Sequence, residues 1–193
     1  PFWKTFLEEL GFEVVLSQPT DRRLLEEGLK IANSEMCLPM KIMYGHILEL
    51  RGQVDAILLP QMDEVKWGDG TYGTSTYFCP YFVGLADVMR AEFPEQKFWQ
   101  PVMSISNYHI EAEPWLEWAQ KVGATAGKAE KAFALAVDSQ NKFRRTLYKD
   151  QRTPDAVIAD TKSTQVKSGP TIGLVVRAYL VHASSANLDV IGK

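Results

Sequence analysis

Apolar residues at positions 2, 3, 6, 7 and 10 open the chain with helical spacing, and Gly11 closes the element, which predicts an amphipathic helix over Phe2–Leu10. Phe12–Leu16 is a short apolar run of strand length, expected to be buried. Gln18-Pro19-Thr20-Asp21 reads as a turn and cap, leading into a helix over Arg22–Ala32. The next helix is expected to start at Ser34, a good N-cap residue, and to run to about Leu50, ending near Gly52. Pro39 suits its first turn, where a missing N–H costs nothing. Val54–Leu59 reads as a second apolar strand stopped by Pro60, and Gln61–Phe78, rich in glycine, threonine and tyrosine, as a loop. An amphipathic helix follows over Tyr81–Phe93, then a third strand over Phe98–Ser106. Glu113-Pro114 opens a helical region that reaches roughly Asp150 and is interrupted around Gly123–Gly127. Asp155–Ser168 is polar and reads as loop; Ile172–Val176 is the last clear strand.

Strand–helix alternation of this kind implies an α/β protein, here a three-layer, mostly parallel Rossmann-like sheet with helices on both faces. The expected organisation is one α/β domain over 1–168, with its helical region at about 113–150. A second α/β unit would begin over 169–193, where the Ile172 strand runs into Arg177-Ala178-Tyr179. The sequence opens on Pro1-Phe2-Trp3, already inside a helix, and stops at Ile191-Gly192-Lys193 after a strand-like run. It reads as a piece of a longer polypeptide, lacking at least one further strand at each end.

Composition narrows the function classes. The 193 residues are 46% hydrophobic and 23% charged with a net charge of −3, which is the make-up of a globular protein with a sizeable core. The slightly acidic balance offers no footprint for nucleic acid or anionic lipid. No apolar run reaches the ~18 residues of a membrane span, and no basic-then-apolar leader opens the sequence. Two cysteines far apart do not make a disulfide framework. The default compartment is cytoplasmic; the oligomeric state is open.

Chemistry concentrates at those two cysteines. Cys37 falls at the start of the Ser34–Leu50 helix, beside free amide donors and the positive end of the helix dipole, a setting that favours thiolate. Cys79 directly precedes Pro80 and the Tyr81–Phe93 run, repeating the arrangement. Ligands of parallel sheets bind at the carboxyl ends of the strands, where strand-to-helix loops converge. Cys79 lies in such a loop, and both sulfurs are expected at that rim.

Several stretches together resemble one family: Pro1-Phe2-Trp3; Gly11-Phe12-Glu13-Val14-Val15-Leu16-Ser17; Ser34-Glu35 with Cys37-Leu38-Pro39-Met40-Lys41 and Gly45-His46; Cys79-Pro80-Tyr81; and Ile172-Gly173-Leu174-Val175 with Arg177 and Tyr179. This is similar to the uncharacterised domain associated with CoA-substrate-specific enzyme activases, related to the subunits of 2-hydroxyacyl-CoA dehydratases. The chain departs from the family pattern at Leu38, where an aromatic is usual, and at Tyr44, where histidine is expected, while His46 is retained. The resemblance implies a component of an iron–sulfur dehydratase or activase system, in which Cys37 and Cys79 are ligands of a 4Fe–4S cluster and a third cysteine comes from a C-terminal part beyond these residues. It further implies an ATP-dependent activator, as domain or partner protein, and an acyl-CoA substrate. No Walker-type phosphate loop is present, so the word activase would belong to a neighbouring domain.

Other residues carry less. Catalytic residues are not assigned by the sequence; Glu35, a first-turn acid, and His46 are candidates for proton transfer. His46 falls on the face of its helix roughly opposite Cys37 and is read as a satisfied helix histidine in preference to a ligand. Lys41 could meet a CoA phosphate or stay solvated, and the Trp67–Tyr77 loop could cradle an anion. His109 and His182 have no partner pattern, and Trp115, Leu116 and Trp118 read as packing. The competing functional class is a metal-free α/β binding or scaffold module whose cysteines are small buried hydrophobes. A zinc site using the two cysteines and a histidine lacks the close ligand pairs usual in such sites.

Overall fold

The computed structural model describes residues 1–66, 75–106, 109–150 and 157. In chain order these form α1 (Phe2–Glu9), α2 (Arg22–Ile31), α3 (Leu38–Leu50), β1 (Ile57–Leu58), β2 (Gln61–Lys66), β3 (Ser75–Tyr77), α4 (Pro80–Val83), α5 (Leu85–Glu92), β4 (Phe98–Trp99), β5 (Val102–Ser106), β6 (His109–Ile110), α6 (Glu113–Lys121) and α7 (Ala126–Asp150). The fold is mixed α/β. The chain divides into two compact units, one of residues 1–15 and 51–140, the other of 16–50 and 141–193.

The first unit is built on aromatic residues. Phe2, Phe6, Leu7 and Leu10 form one stripe of α1 and are buried together with Trp115, Trp118 and Ala119 of α6. Trp115 is 0% exposed, with the rings of Phe2, Phe6 and Trp3 at 5.4, 5.3 and 5.0 Å. Ala129, Ala132 and Ala136 give α7 a flat, fully buried edge against the same cluster. Lys128 donates through Nζ to the Leu10 carbonyl at 2.8 Å, occupying an acceptor at the end of α1.

The sheet of this unit has a parallel centre and antiparallel edges. β1 pairs with β4 in parallel, β2 with β5 in parallel, and β3 and β6 flank the latter pair antiparallel, in the order β3-β2-β5-β6. The expected strands Val54–Leu59 and Phe98–Ser106 are thus each found, but interrupted or continued at a proline. Backbone bonds carry the parallel register through: Ile57 N–H to Lys97 O, Leu59 N–H to Trp99 O and Gln61 N–H to Pro101 O, at 2.9, 2.8 and 2.9 Å. Continuing that register, the Leu59 carbonyl would accept from residue 101, and Pro101 has no N–H to give. The ladder therefore parts into a two-stranded and a four-stranded sheet.

The second unit, over its described part, centres on α2 and α3. Asp21 caps α2, its carboxylate accepting from the Leu24 N–H at 2.7 Å. Leu24 of α2 and Ile47 of α3 are each 1% exposed. The helices meet backbone to backbone: a Cβ on Gly28 would lie 2.0 Å from the Lys41 carbonyl oxygen, and one on Gly45 would lie 2.1 Å from that of Leu24. Glycine is the side chain that permits this crossing.

Four expectations need correction. Phe12–Leu16 is not a strand; Phe12 and Val14 turn toward the aromatic core, but Val15 and Leu16 are exposed and no ladder forms with any described residue. Gln61–Phe78 is not all loop, because β2 and β3 occupy its ends; β2 is polar in composition and is held by two neighbours, so pairing outweighs propensity. The Tyr81–Phe93 helix breaks at Gly84 into α4 and α5. Ser34 is not an N-cap, since α3 begins at Leu38. The helices over Phe2–Leu10, Arg22–Ala32 and the interrupted region 113–150 stand as expected, with Gly123 at φ 98° closing α6. The Asp155–Ser168 loop (Val157 apart), the Ile172–Val176 strand and the unit over 169–193 lie outside the described residues.

Candidate functional site

Cys37 belongs to the second unit and Cys79 to the first. Both are free thiols exposed to solvent, which corrects the reading of either as a small buried hydrophobe. Each immediately precedes a helix and has a proline within the first two helical positions. The Cys37 carbonyl accepts from the Met40 and Lys41 N–H groups at 3.0 and 3.2 Å. The Cys79 carbonyl accepts from Phe82 and Val83 at 2.8 and 3.1 Å. In both cases the cysteine carbonyl takes the first bonds of the helix, as an N-cap carbonyl does, and the thiol stays exposed.

The turn that presents Cys37 is tied locally. Asn33 Oδ1 accepts from the Glu35 N–H at 2.9 Å, an Asx turn, and the Met36 N–H donates to the Asn33 carbonyl at 3.1 Å. Lys41 reaches back from α3 and donates through Nζ to the Ser34 carbonyl at 2.8 Å. That bond gives Lys41 a structural post, where the sequence suggested a phosphate contact. Glu35 is exposed, and Ser34 Oγ donates to its carboxylate at 3.3 Å. Cys79 is placed by β2: the Phe78 N–H donates to the Asp63 carbonyl at 2.9 Å. Tyr77 and Tyr81 flank it, both exposed.

His46 lies on α3 away from Cys37's turn. Its Nδ1 and Nε2 bond the hydroxyls of Ser17 and Thr20 at 2.8 and 3.0 Å. Burial pushes its pKa below the ordinary imidazole value, and the carboxylates of Glu49 and Asp21 pull weakly the other way. With both nitrogens engaged, the ring has no lone pair turned to a metal. Among the described residues no three of His, Cys, Asp or Glu gather as a metal-holding group. His109 is exposed on β6, Trp115 and Trp118 are core, and His182 and residues 67–74 lie outside the described residues.

Sequence reasoning missed two features. Ser17, Thr20 and Glu49 make the polar surroundings of His46, and isolated hydroxyls carry no periodic signal. An open cleft of ≈ 320 Å³ in the first unit is lined by Glu13, Val15, Gly52, Gln53, Val54 and Asp55. Reading 12–16 as a buried strand hid it.

Among the described residues no helix is long and apolar enough to cross a membrane. No curated protein and no solved structure matches the chain. One family model does, over residues 1–193, that of the CoA enzyme activase uncharacterised domain. With the match running from the first residue to the last, the chain belongs to the family of the CoA enzyme activase uncharacterised domain.

Proposed function

We propose that this chain is a component of a 2-hydroxyacyl-CoA dehydratase-like or activase-like iron–sulfur system, to which it contributes Cys37 and Cys79 as thiolate ligands of a 4Fe–4S-type cluster. The observation that carries the reading is that both thiols of the chain are exposed, each at a helix start flanked by proline. Family membership in a CoA enzyme activase system supports it. Exposure is what a ligand needs and what packing does not. The donor set fits in part: the chain supplies two thiolates, and the third cysteine that the family resemblance implies would come from polypeptide outside these 193 residues. The thiolates would hold the cluster, and any nearby amide that donates to its sulfurs would raise its potential. In this reading the sheet completes a three-layer Rossmann-like domain, with a second α/β unit starting near residue 169. The partners are an ATP-dependent activator and an acyl-CoA, in the cytoplasm.

The test is anaerobic iron and sulfide analysis of the full-length polypeptide beside its Cys37→Ala and Cys79→Ala variants. Iron and acid-labile sulfide in the parent and their loss in each variant are expected. Absence of both from the reconstituted parent, or full retention in the two variants, refutes the assignment.

A further inference from the structure

Residues Leu16–Asp21 have no regular secondary structure, yet they are fastened to α3 by side chains at several points. Ser17 and Thr20 each bond one nitrogen of His46, at 2.8 and 3.0 Å. The Gln18 N–H donates to Glu49 Oε2 at 2.8 Å. His46 and Glu49 stand three residues apart on α3 and so share a face. Arg23 of α2 donates to the other Glu49 oxygen at 3.1 Å and lies 4.0 Å from Asp21. The fastened segment is where the chain enters the second unit, and the last turn of α3 is where it leaves. The contacts thus tie entrance to exit.

We propose that His46 and Glu49 form a pH-responsive clasp that pins the Ser17–Asp21 segment to α3 and releases it on acidification. The neutral ring donates from one nitrogen and accepts at the other, so one hydroxyl must donate to it. The imidazolium donates from both, so that hydroxyl must turn to accept from the ring and its own proton must find another acceptor. Charge on the half-buried ring also forfeits hydration. Of the charged groups facing the ring, Glu49 on α3 and Asp21 at the cap favour the cation. Arg23 sits against both carboxylates and offsets them. Burial is the largest influence, and it favours the neutral, closed form.

Amide exchange on the whole chain, followed by NMR from about pH 7.5 to about 5.5 across the imidazole range, tests this. The Gln18 amide reports the clasp; the Ala32 amide, bonded to the Gly28 carbonyl, reports α2 itself. The Gln18 protection factor is expected to fall several-fold with acidification while that of Ala32 holds, with the transition centred on the titration of the His46 ring signals. His46→Gln should flatten the Gln18 profile. A flat profile in the parent, parallel loss at Ala32, a midpoint apart from the ring titration, or an unchanged slope in His46→Gln would each overturn the proposal.

Discussion

The contact between α2 and α3 allows a quantitative test through Gly28→Ala. The new Cβ would lie 2.0 Å from the Lys41 carbonyl oxygen and 2.8 Å from the Gly45 nitrogen. Both obstacles are backbone, so no side-chain rotation relieves them, and the helices must separate by roughly 1 Å or more to reach ordinary contact distance. Overpacking of this kind costs about 1–3 kcal/mol, and rigid obstacles place it at the upper end. Alanine returns up to about 1 kcal/mol through its better helix propensity. The net expectation is a loss of about 2 kcal/mol, and Gly45→Ala, blocked by the Leu24 carbonyl oxygen at 2.1 Å, should match it. Gly127→Ala in α7 meets nothing within 4 Å and should stabilise by up to about 1 kcal/mol. Urea unfolding followed by far-ultraviolet ellipticity reads these differences as midpoint shifts at constant slope. All five tryptophans lie outside residues 16–50 and 141–193, so their fluorescence follows the first unit and gives an independent trace. A Gly28→Ala protein with a midpoint at or above that of the parent would refute the backbone-contact reasoning.

Four further outcomes are expected. Trp115→Ala should lose about 3–5 kcal/mol in urea titrations, because the ring is fully buried among aromatics. Trp115→Phe should lose far less, since Nε1 has no hydrogen-bond partner among the described residues. Asp21→Ala should lose about 1 kcal/mol with the cap of α2, while Asp21→Asn should be near neutral, as measured by thermal melting. Because burial holds the folded-state pKa of His46 below its unfolded value, its contribution is fully present above ~6.5 and falls as pH drops through the lowered folded value; a pH series of unfolding midpoints should show that slope, and His46→Gln should remove it. Cys37→Ser and Cys79→Ser should each change the stability of the metal-free chain by less than about 0.5 kcal/mol, since both side chains are exposed; losses of 1–3 kcal/mol would favour the scaffold alternative.

Helices were the legible part of this sequence. The 2, 3, 6, 7, 10 stripe, the Asp21 cap and the glycines around 123 are local signals, and the structure follows them closely. Strands were less legible because their stability is decided by partners. Phe12–Leu16 has the apolar content of a strand but no paired neighbour among the described residues, whereas Gln61–Lys66 is polar and becomes a strand because β5 and β3 lie on either side. At the candidate site, proline and cysteine adjacency located both helix starts. The residue that actually caps α3 was misjudged by three positions, since Asn33 and Lys41 fold the Ser34–Met36 stretch into a turn of its own. The surroundings of His46 depend on hydroxyls distant in sequence, which no periodicity announces.

Pro101 has a consequence for how the sheet can vary. Where residue 101 would hand a hydrogen to Leu59, the nitrogen is tied into a ring, and the boundary between the two sheets falls at that missing rung. Alanine there would supply the missing rung between Leu59 and residue 101, while Pro60 would still stand between β1 and β2. The break between the paired strands thus falls at a proline on each, Pro60 on one side and Pro101 on the other.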